Sequence, residues 1–183
     1  MKYRTVTAAM AAVLGVYWSV GASAADLTIG VATEPTSLDP HFQALNSNHE
    51  LSMHVYETMM RQDPQMRLLP SLATSWKPID PNTWEFKLRQ GVKFHNGTPF
   101  TARDVVFSIE RAPKVPNAPA TYRRRVAQVE SAKAVDDHTV HIRTKAPTPL
   151  LPENLAQLPI VSETVGMDAE PAQFNDGSKA FGT

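Results

Sequence analysis

The chain has 183 residues, 18 basic against 18 acidic side chains, and 42% apolar residues. That charge balance excludes the basic surface that nucleic-acid binding requires, while the apolar fraction is ordinary for a chain that folds around a core. There is no cysteine, so disulfides and thiol nucleophiles are excluded as well. Residues 1–24 read as a secretory signal peptide: Lys2 and Arg4 precede an apolar run, and Ala22-Ser23-Ala24 is a small-x-small cleavage pattern. The competing reading is a short membrane anchor. Against it, the run falls short of the roughly 18–20 residues a span needs and is interrupted by Tyr17, Trp18 and Ser19. Cleavage after Ala24 predicts a mature chain with 16 basic and 18 acidic side chains, in which a cleavage-site cysteine for lipid attachment is absent.

Residues 27–31 form a short β-rich run and predict the first strand. Glu34-Pro35 and Asp39-Pro40 are turn dipeptides. Ser47-Asn48-His49-Glu50 has the spacing of a capping box and predicts a helix over 48–60 that buries Leu51, Val55 and Met59. His49 and His54 are five apart and cannot share a helical face. Together with His41 they are conceivable metal ligands, although exposed helix histidines are the ordinary explanation of such residues. Beyond Arg61 the chain turns to short strands split by proline and asparagine. Trp84, Phe86 and Leu88 alternate with Thr83, Glu85, Lys87 and Arg89, the period of a half-buried strand. Val92-Lys93-Phe94 predicts a further short strand, His95-Asn96-Gly97 a turn, and Thr101 with Asp104 a helix start ahead of Val105, Val106, Phe107 and Ile109.

Residues 113–119 are a proline-rich loop, followed by Tyr122 and the run Arg123-Arg124-Arg125. Such a run suits an anionic ligand, but it is more often a solvated patch. Asp136-Asp137-His138 joins two strand-like runs into a hairpin. Leu150, Leu151, Leu155 and Leu158 predict a helix over 149–158, and residues 159–162 a returning strand. No GxSxG, HExxH, P-loop or GxGxxG pattern is present. His95 and Asp104 could in principle act as an acid–base pair, yet a turn histidine and a helix-start aspartate explain both without chemistry.

The run Trp84-x-Phe86-x-Leu88-Arg89-x-Gly91-Val92-x-Phe94-His95-Asn96-Gly97-x-Pro99-Phe100-Thr101-Ala102-x-Asp104-Val105-x-Phe107-Ser108 resembles the signature of the family 5 extracellular solute-binding proteins, the dipeptide, oligopeptide and nickel receptors of ABC importers. Ser37-Leu38-Asp39-Pro40-His41, Leu68-x-Pro70-x-Leu72-Ala73-x-Ser75-Trp76 and Ala134-Val135-Asp136-Asp137-His138-Thr139-Val140 extend the resemblance. It implies a mixed α/β (α+β) fold: the N-terminal part of a two-lobed periplasmic binding protein with an inserted β-rich subdomain. On that pattern residues 25–60 begin the first lobe, 61–147 form the inserted accessory subdomain, and 148–183 return to the first lobe. The family continues into a second lobe beyond the point where this sequence stops, which predicts a fragment or a truncated product.

The resemblance also implies a ligand cleft beside Phe42, Gln43, Ala44, Leu45 and Asn46, with Tyr122 packing on the ligand. For Tyr122 the competing reading is a partly buried core tyrosine. Nickel-binding members carry an arginine where this chain has Gln157-Leu158-Pro159, a departure that counts against nickel. The implied protein is a monomeric, cofactor-free and metal-free periplasmic receptor that is not an enzyme. It captures a peptide or peptide-like solute and delivers it to an ABC permease/ATPase complex in the inner membrane, with no nucleic-acid partner. The alternatives are a small secreted metal-dependent hydrolase using His95 or the His41–His54 group, and a non-binding truncated remnant.

Overall fold

A computed structural model describes Thr28, Gly30, residues 32–119 and residues 122–183. The signal peptide lies outside the described residues, as does most of the strand expected over 27–31. From residue 32 onward the element order is α1 (Asn46–Met53), β1 (Met60–Gln62), β2 (Leu68–Pro70), β3 (Ala73–Asp80), β4 (Thr83–Leu88), α2 (Ala102–Arg111), α3 (Arg123–Val126), β5 (Val129–Asp136), β6 (Thr139–Thr144), α4 (Leu151–Leu155), a 3-10 turn (Glu163–Val165) and α5 (Pro171–Asn175). The fold is mixed α/β, as the sequence implies.

β3, β4, β6 and β5 form one antiparallel sheet in that spatial order, and β1 pairs with β2 in a separate ribbon. Register follows the alternation in the sequence. Phe86 faces Trp76 and Val140, and Trp84 faces Pro78 and Ile142 across neighbouring strands. The other face pairs Glu85 with His141, and Lys77 and Lys87 lie 3.6 and 3.5 Å from the Glu85 carboxylate. The His141 hydrogen bond, aided by the lysine charges, holds the Glu85 carboxyl below its usual range. Both hairpins close on an aspartate that accepts a backbone N–H two residues on: Asp80 from Asn82 and Asp136 from His138.

α2 packs across β5 and β6, and its start is a complete capping box. The Thr101 hydroxyl accepts from Arg103 N–H, and the Asp104 carboxylate accepts from Thr101 N–H at 2.7 Å. Asp104 also accepts from Glu163 N–H, which ties the helix to the C-terminal segment. Val105 and Ile109 bury the inner face against Phe86, Ile142, Leu151, Leu155 and Ile160.

Four expected elements are shorter than their patterns imply, one of them the helix expected over 149–158, which spans only Leu151–Leu155. The helix expected over 48–60 spans only Asn46–Met53, and the Ser47–Glu50 box does not form. Asn48 is buried instead, its amide donating to the Thr36 hydroxyl at 3.1 Å. Beyond His54, the β-prone residues Val55, Tyr56 and Thr58 leave the helix. Thr58 bridges to Pro159, and Ile160 N–H donates to the Glu57 carbonyl at 2.9 Å, so tertiary pairing overrides helical periodicity. The strand expected at 92–94 is a single bridge between Lys93 and Pro99, and that at 159–162 is the single bridge at Pro159. In both a proline sits in the bridge, and without an N–H it cannot extend a ladder. Gly91, at φ +73°, further turns the chain away from the sheet.

Arg111, the last residue of α2, is fully buried and unites the first and last parts of the chain. Its two terminal nitrogens donate to the Asp39 oxygens at 2.9 and 2.7 Å. One donates also to the Ala169 carbonyl, and the guanidinium stacks on Phe174 with 4.8 Å to the ring centroid. His41 completes the cluster. Its Nε2 lies 2.7 Å from the Pro159 carbonyl and must donate, which leaves Nδ1 to accept from Arg111 at 3.3 Å. Asp39 folds its own turn, accepting from His41 N–H, and Ser37 and Leu38 both donate to the Asn175 side chain. Arg111 Nε has no partner among the described residues. An orphaned buried donor of this kind costs on the order of 1–3 kcal/mol, which the bidentate pair and the ring contact must offset.

Removing one partner strands the other charge in the core. Arg111→Met or Asp39→Asn is expected to lower unfolding free energy by about 3–5 kcal/mol, whereas exchanging both for apolar residues of similar volume costs less. Urea denaturation of the single and double variants checks this, and a double variant as unstable as the sum of the singles contradicts it. Acid sensitivity should follow from His41. Burial, and then the charge of Arg111, lower its pKa from 6.5 to about 4. Between those values the unfolded chain takes up the proton first. This contribution to stability is therefore complete above about pH 6.5 and lost as pH falls toward 4, a loss of roughly 3 kcal/mol. Comparing urea unfolding of the chain and of His41→Gln at pH 7 and pH 4.5 isolates it; identical pH slopes would contradict the assignment.

Candidate functional site

The pinned turn leads directly into the segment that the resemblance assigns to the cleft. Phe42 N–H closes the turn on the Asp39 carbonyl at 3.2 Å. Ala44, Leu45 and Asn46 then run exposed into the start of α1, with Leu45 45% exposed. Tyr122 approaches from the start of α3. Its ring packs on His41 with centroids 5.9 Å apart, so the arginine cluster also fixes this side. Between these segments lies a depression of about 60 Å³. Ala44, Leu45 and Asn46 form one edge, Tyr122 and Arg125 the opposite edge, and His49 and Gln157 complete it. It holds one small polar group rather than a whole solute, since a water molecule takes up about 30 Å³ of liquid.

Of the six residues expected at a ligand, the structure thus gathers Ala44, Leu45, Asn46 and Tyr122 around one depression. Phe42 and Gln43 do not line it. Both are half-buried beneath the turn, and the Gln43 side-chain oxygen accepts from the Thr36 hydroxyl at 2.8 Å. Tyr122 is only 3% exposed, so the core and cleft readings of it meet: the ring is packed and one part borders the depression. Burial pushes its hydroxyl pKa up to about 12, and the phenol stays protonated across the physiological range. The expectation did not include His49, Arg125 or Gln157. Each carries a separate signal in the sequence, His49 as a conceivable metal ligand, Gln157 where nickel-binding members have an arginine, and Arg125 in the arginine run, of which α3 directs only the last to the depression.

Electrostatically the depression is cationic. Among the described residues Arg125 is its one permanent charge, and no carboxylate lines it. His49 is pushed below its usual pKa, first by burial and then by Arg125, with Glu50 acting in the opposite direction. Larger open grooves exist elsewhere. One of about 380 Å³ runs between α2 and β5, but Arg103 there is already paired with Glu163. Another, of about 370 Å³, follows the proline-rich segment 146–150 and carries no charged side chain.

The candidates for catalysis do not assemble. The Asp104 carboxylate is consumed by Thr101 and Glu163, while His95 Nδ1 accepts from Gly182 N–H at 3.3 Å. His41 is buried in the arginine cluster, and no group of three His, Asp or Glu among the described residues could hold a metal ion.

Comparison with known proteins identifies the family and the fold. Residues 67–183 match the model of the bacterial extracellular solute-binding proteins, family 5 middle region. The chain is 34% identical over 152 residues to the glutathione-binding protein GsiB of Pectobacterium atrosepticum, covering 82% of this chain and 28% of that one. It is 29% identical over 160 residues to the periplasmic murein peptide-binding protein MppA of Escherichia coli, covering 76% and 30%. The structure superposes on OppA of Burkholderia pseudomallei with a TM-score of 0.71 at 26% identity, over 84% of this chain and 33% of that one. The chain therefore spans about 30% of the length of the curated relatives it matches. By sequence and by fold it belongs to the family 5 bacterial extracellular solute-binding proteins, which are binding proteins and not enzymes.

Proposed function

We propose that this chain is one wall of a periplasmic receptor for peptides or peptide-like solutes, serving an ABC importer. The observation that carries the reading is the 34% identity, over 152 residues, to a protein named for binding glutathione, itself a small peptide. The murein peptide-binding relative supports the same ligand class. In this reading residues 1–24 direct export and are removed. Residues 25–60 and 148–183 belong to the first lobe, with 61–147 as the inserted β-rich subdomain. The contacts of Ser37 and Leu38 with Asn175, and of Thr58 with Pro159, support joining the two outer segments. Ala44, Leu45, Asn46 and Tyr122 face the solute, with Phe42 and Gln43 as the support beneath them. The receptor works as a monomer that closes about a hinge and presents its solute to a permease/ATPase complex in the inner membrane.

Affinity in such a receptor comes largely from backbone hydrogen bonds to an extended solute, which tolerate varied side chains. It also requires enclosure, since small-molecule sites commonly bury about 70–90% of the ligand. A wall that contributes one side leaves most of the solute in water. Residues 25–183 are therefore expected to bind short peptides with only millimolar dissociation constants. Heteronuclear NMR titration with a peptide library should shift amides within 42–49 and 122–128. Micromolar affinity would contradict the one-wall assignment, and a library that shifts none of those amides would overturn the receptor reading in favour of a non-binding remnant.

A further inference from the structure

The depression between α1 and α3 carries a more specific statement about the solute, one that rests on the receptor reading. We infer that it is a subsite for an anionic group of the solute, a carboxylate, held by Arg125 with His49, Asn46 and Gln157 around it. The first ground is charge. The basic side chains elsewhere in the fold commonly have a carboxylate at hand: Arg67 with Asp63, Arg89 with Glu57, Arg103 with Glu163, Arg111 with Asp39 and Arg143 with Glu130. Arg125 is half-buried and has no carboxylate within salt-bridge distance among the described residues. A half-buried guanidinium facing a concave surface with no anion is an arrangement that an incoming carboxylate completes by charge-assisted hydrogen bonds.

The second ground is the lining. Asn46 and Gln157 bring amide donors, His49 brings an imidazole, and among the described residues no acidic one borders the space to repel an anion. The third is size. A volume of about 60 Å³ admits a carboxylate but not a bulky side chain. The rim is fixed rather than loose, because Tyr122 is packed on His41 and His41 is held by Arg111 and Pro159. A preorganised rim reduces the ordering cost of binding.

A consequence concerns protons. Besides its burial, the groups that act on His49 are Arg125 across the depression and Glu50 on its own helix; the protonated phenol of Tyr122 lines the same space. A bound carboxylate opposes the field of Arg125 and favours the imidazolium. Binding then takes up a proton, and affinity for the anion rises as pH falls through and below the ordinary histidine range, since free His49 is already held below it.

The test compares trialanine with trialanine amide, which differ in the terminal carboxylate alone, by amide NMR titration of the chain. The acid is expected to bind about tenfold more tightly or better, with the shifts centred on 44–49 and 122–126, and to weaken with salt. Arg125→Gln should reduce the ratio to near one, while Arg125→Lys keeps part of it because the charge remains and the planar fork does not. A dispersed amide spectrum for each variant shows that the fold is intact. Equal binding of acid and amide at these residues overturns the anion subsite and leaves the receptor reading standing. Absence of shifts there with either peptide overturns both.

Discussion

The ion pair between Arg111 and Asp39 is the constraint on which the rest of the structure depends. It is fully buried, bidentate, and joins residues 72 apart in sequence. An isolated charge at this depth would be prohibitive, so neither residue can occupy its place without the other. The pair fixes the end of α2 against the 37–41 turn, and through the Ala169 carbonyl and Phe174 it fixes the C-terminal segment as well. Three stretches of chain that share no sheet are thereby held in one arrangement. Such a cluster adds little net stability over an apolar core, but it admits few alternative packings, which suits a surface that must present fixed polar groups.

Function follows from what the cluster leaves at the surface. His41 is spent as structure: its two nitrogens answer Arg111 and Pro159, and its ring supports Tyr122. The residues directly after it, 44–46, emerge exposed opposite Tyr122 and Arg125. The buried side of the turn is thus charged and paired, with only Arg111 Nε left over among the described residues, while its outer side is short, mixed in polarity and open. Catalysis would need a titratable group both near neutrality and free to reach a substrate. The histidine and carboxylate best placed by sequence, His95 and Asp104, are instead engaged by backbone groups.

Much of the fold was legible in the sequence because it is local. The alternation of Trp84, Phe86 and Leu88 fixed a strand and its buried face, and the Asp137-His138 hairpin and the Thr101 cap needed only neighbours along the chain. What was not legible depends on partners far away. Asn48 reads as part of a helix cap until Thr36 captures it, and the run from Leu51 to Met59 reads as one helix until Pro159 pairs with Thr58. Arg111 closes a helix with nothing near it in sequence to name Asp39, 72 residues away, as its partner. The cleft residues came from resemblance rather than from pattern. His49 lies on α1, Arg125 on α3 and Gln157 in the turn after α4, and only the fold brings them to one depression.

If the buried pair holds the 37–46 segment in one geometry, loosening the pair must loosen that segment first. Hydrogen exchange of the chain and of Arg111→Lys tests it most directly, since lysine keeps the charge but lacks the planar fork that grips both Asp39 oxygens. The amides of His41 and Phe42, which donate to Asp39, are expected to lose protection by about an order of magnitude or more, while the sheet amides of Phe86 and Val140 keep theirs. Unchanged protection at His41 and Phe42 in a variant that has lost the bidentate pair would contradict it.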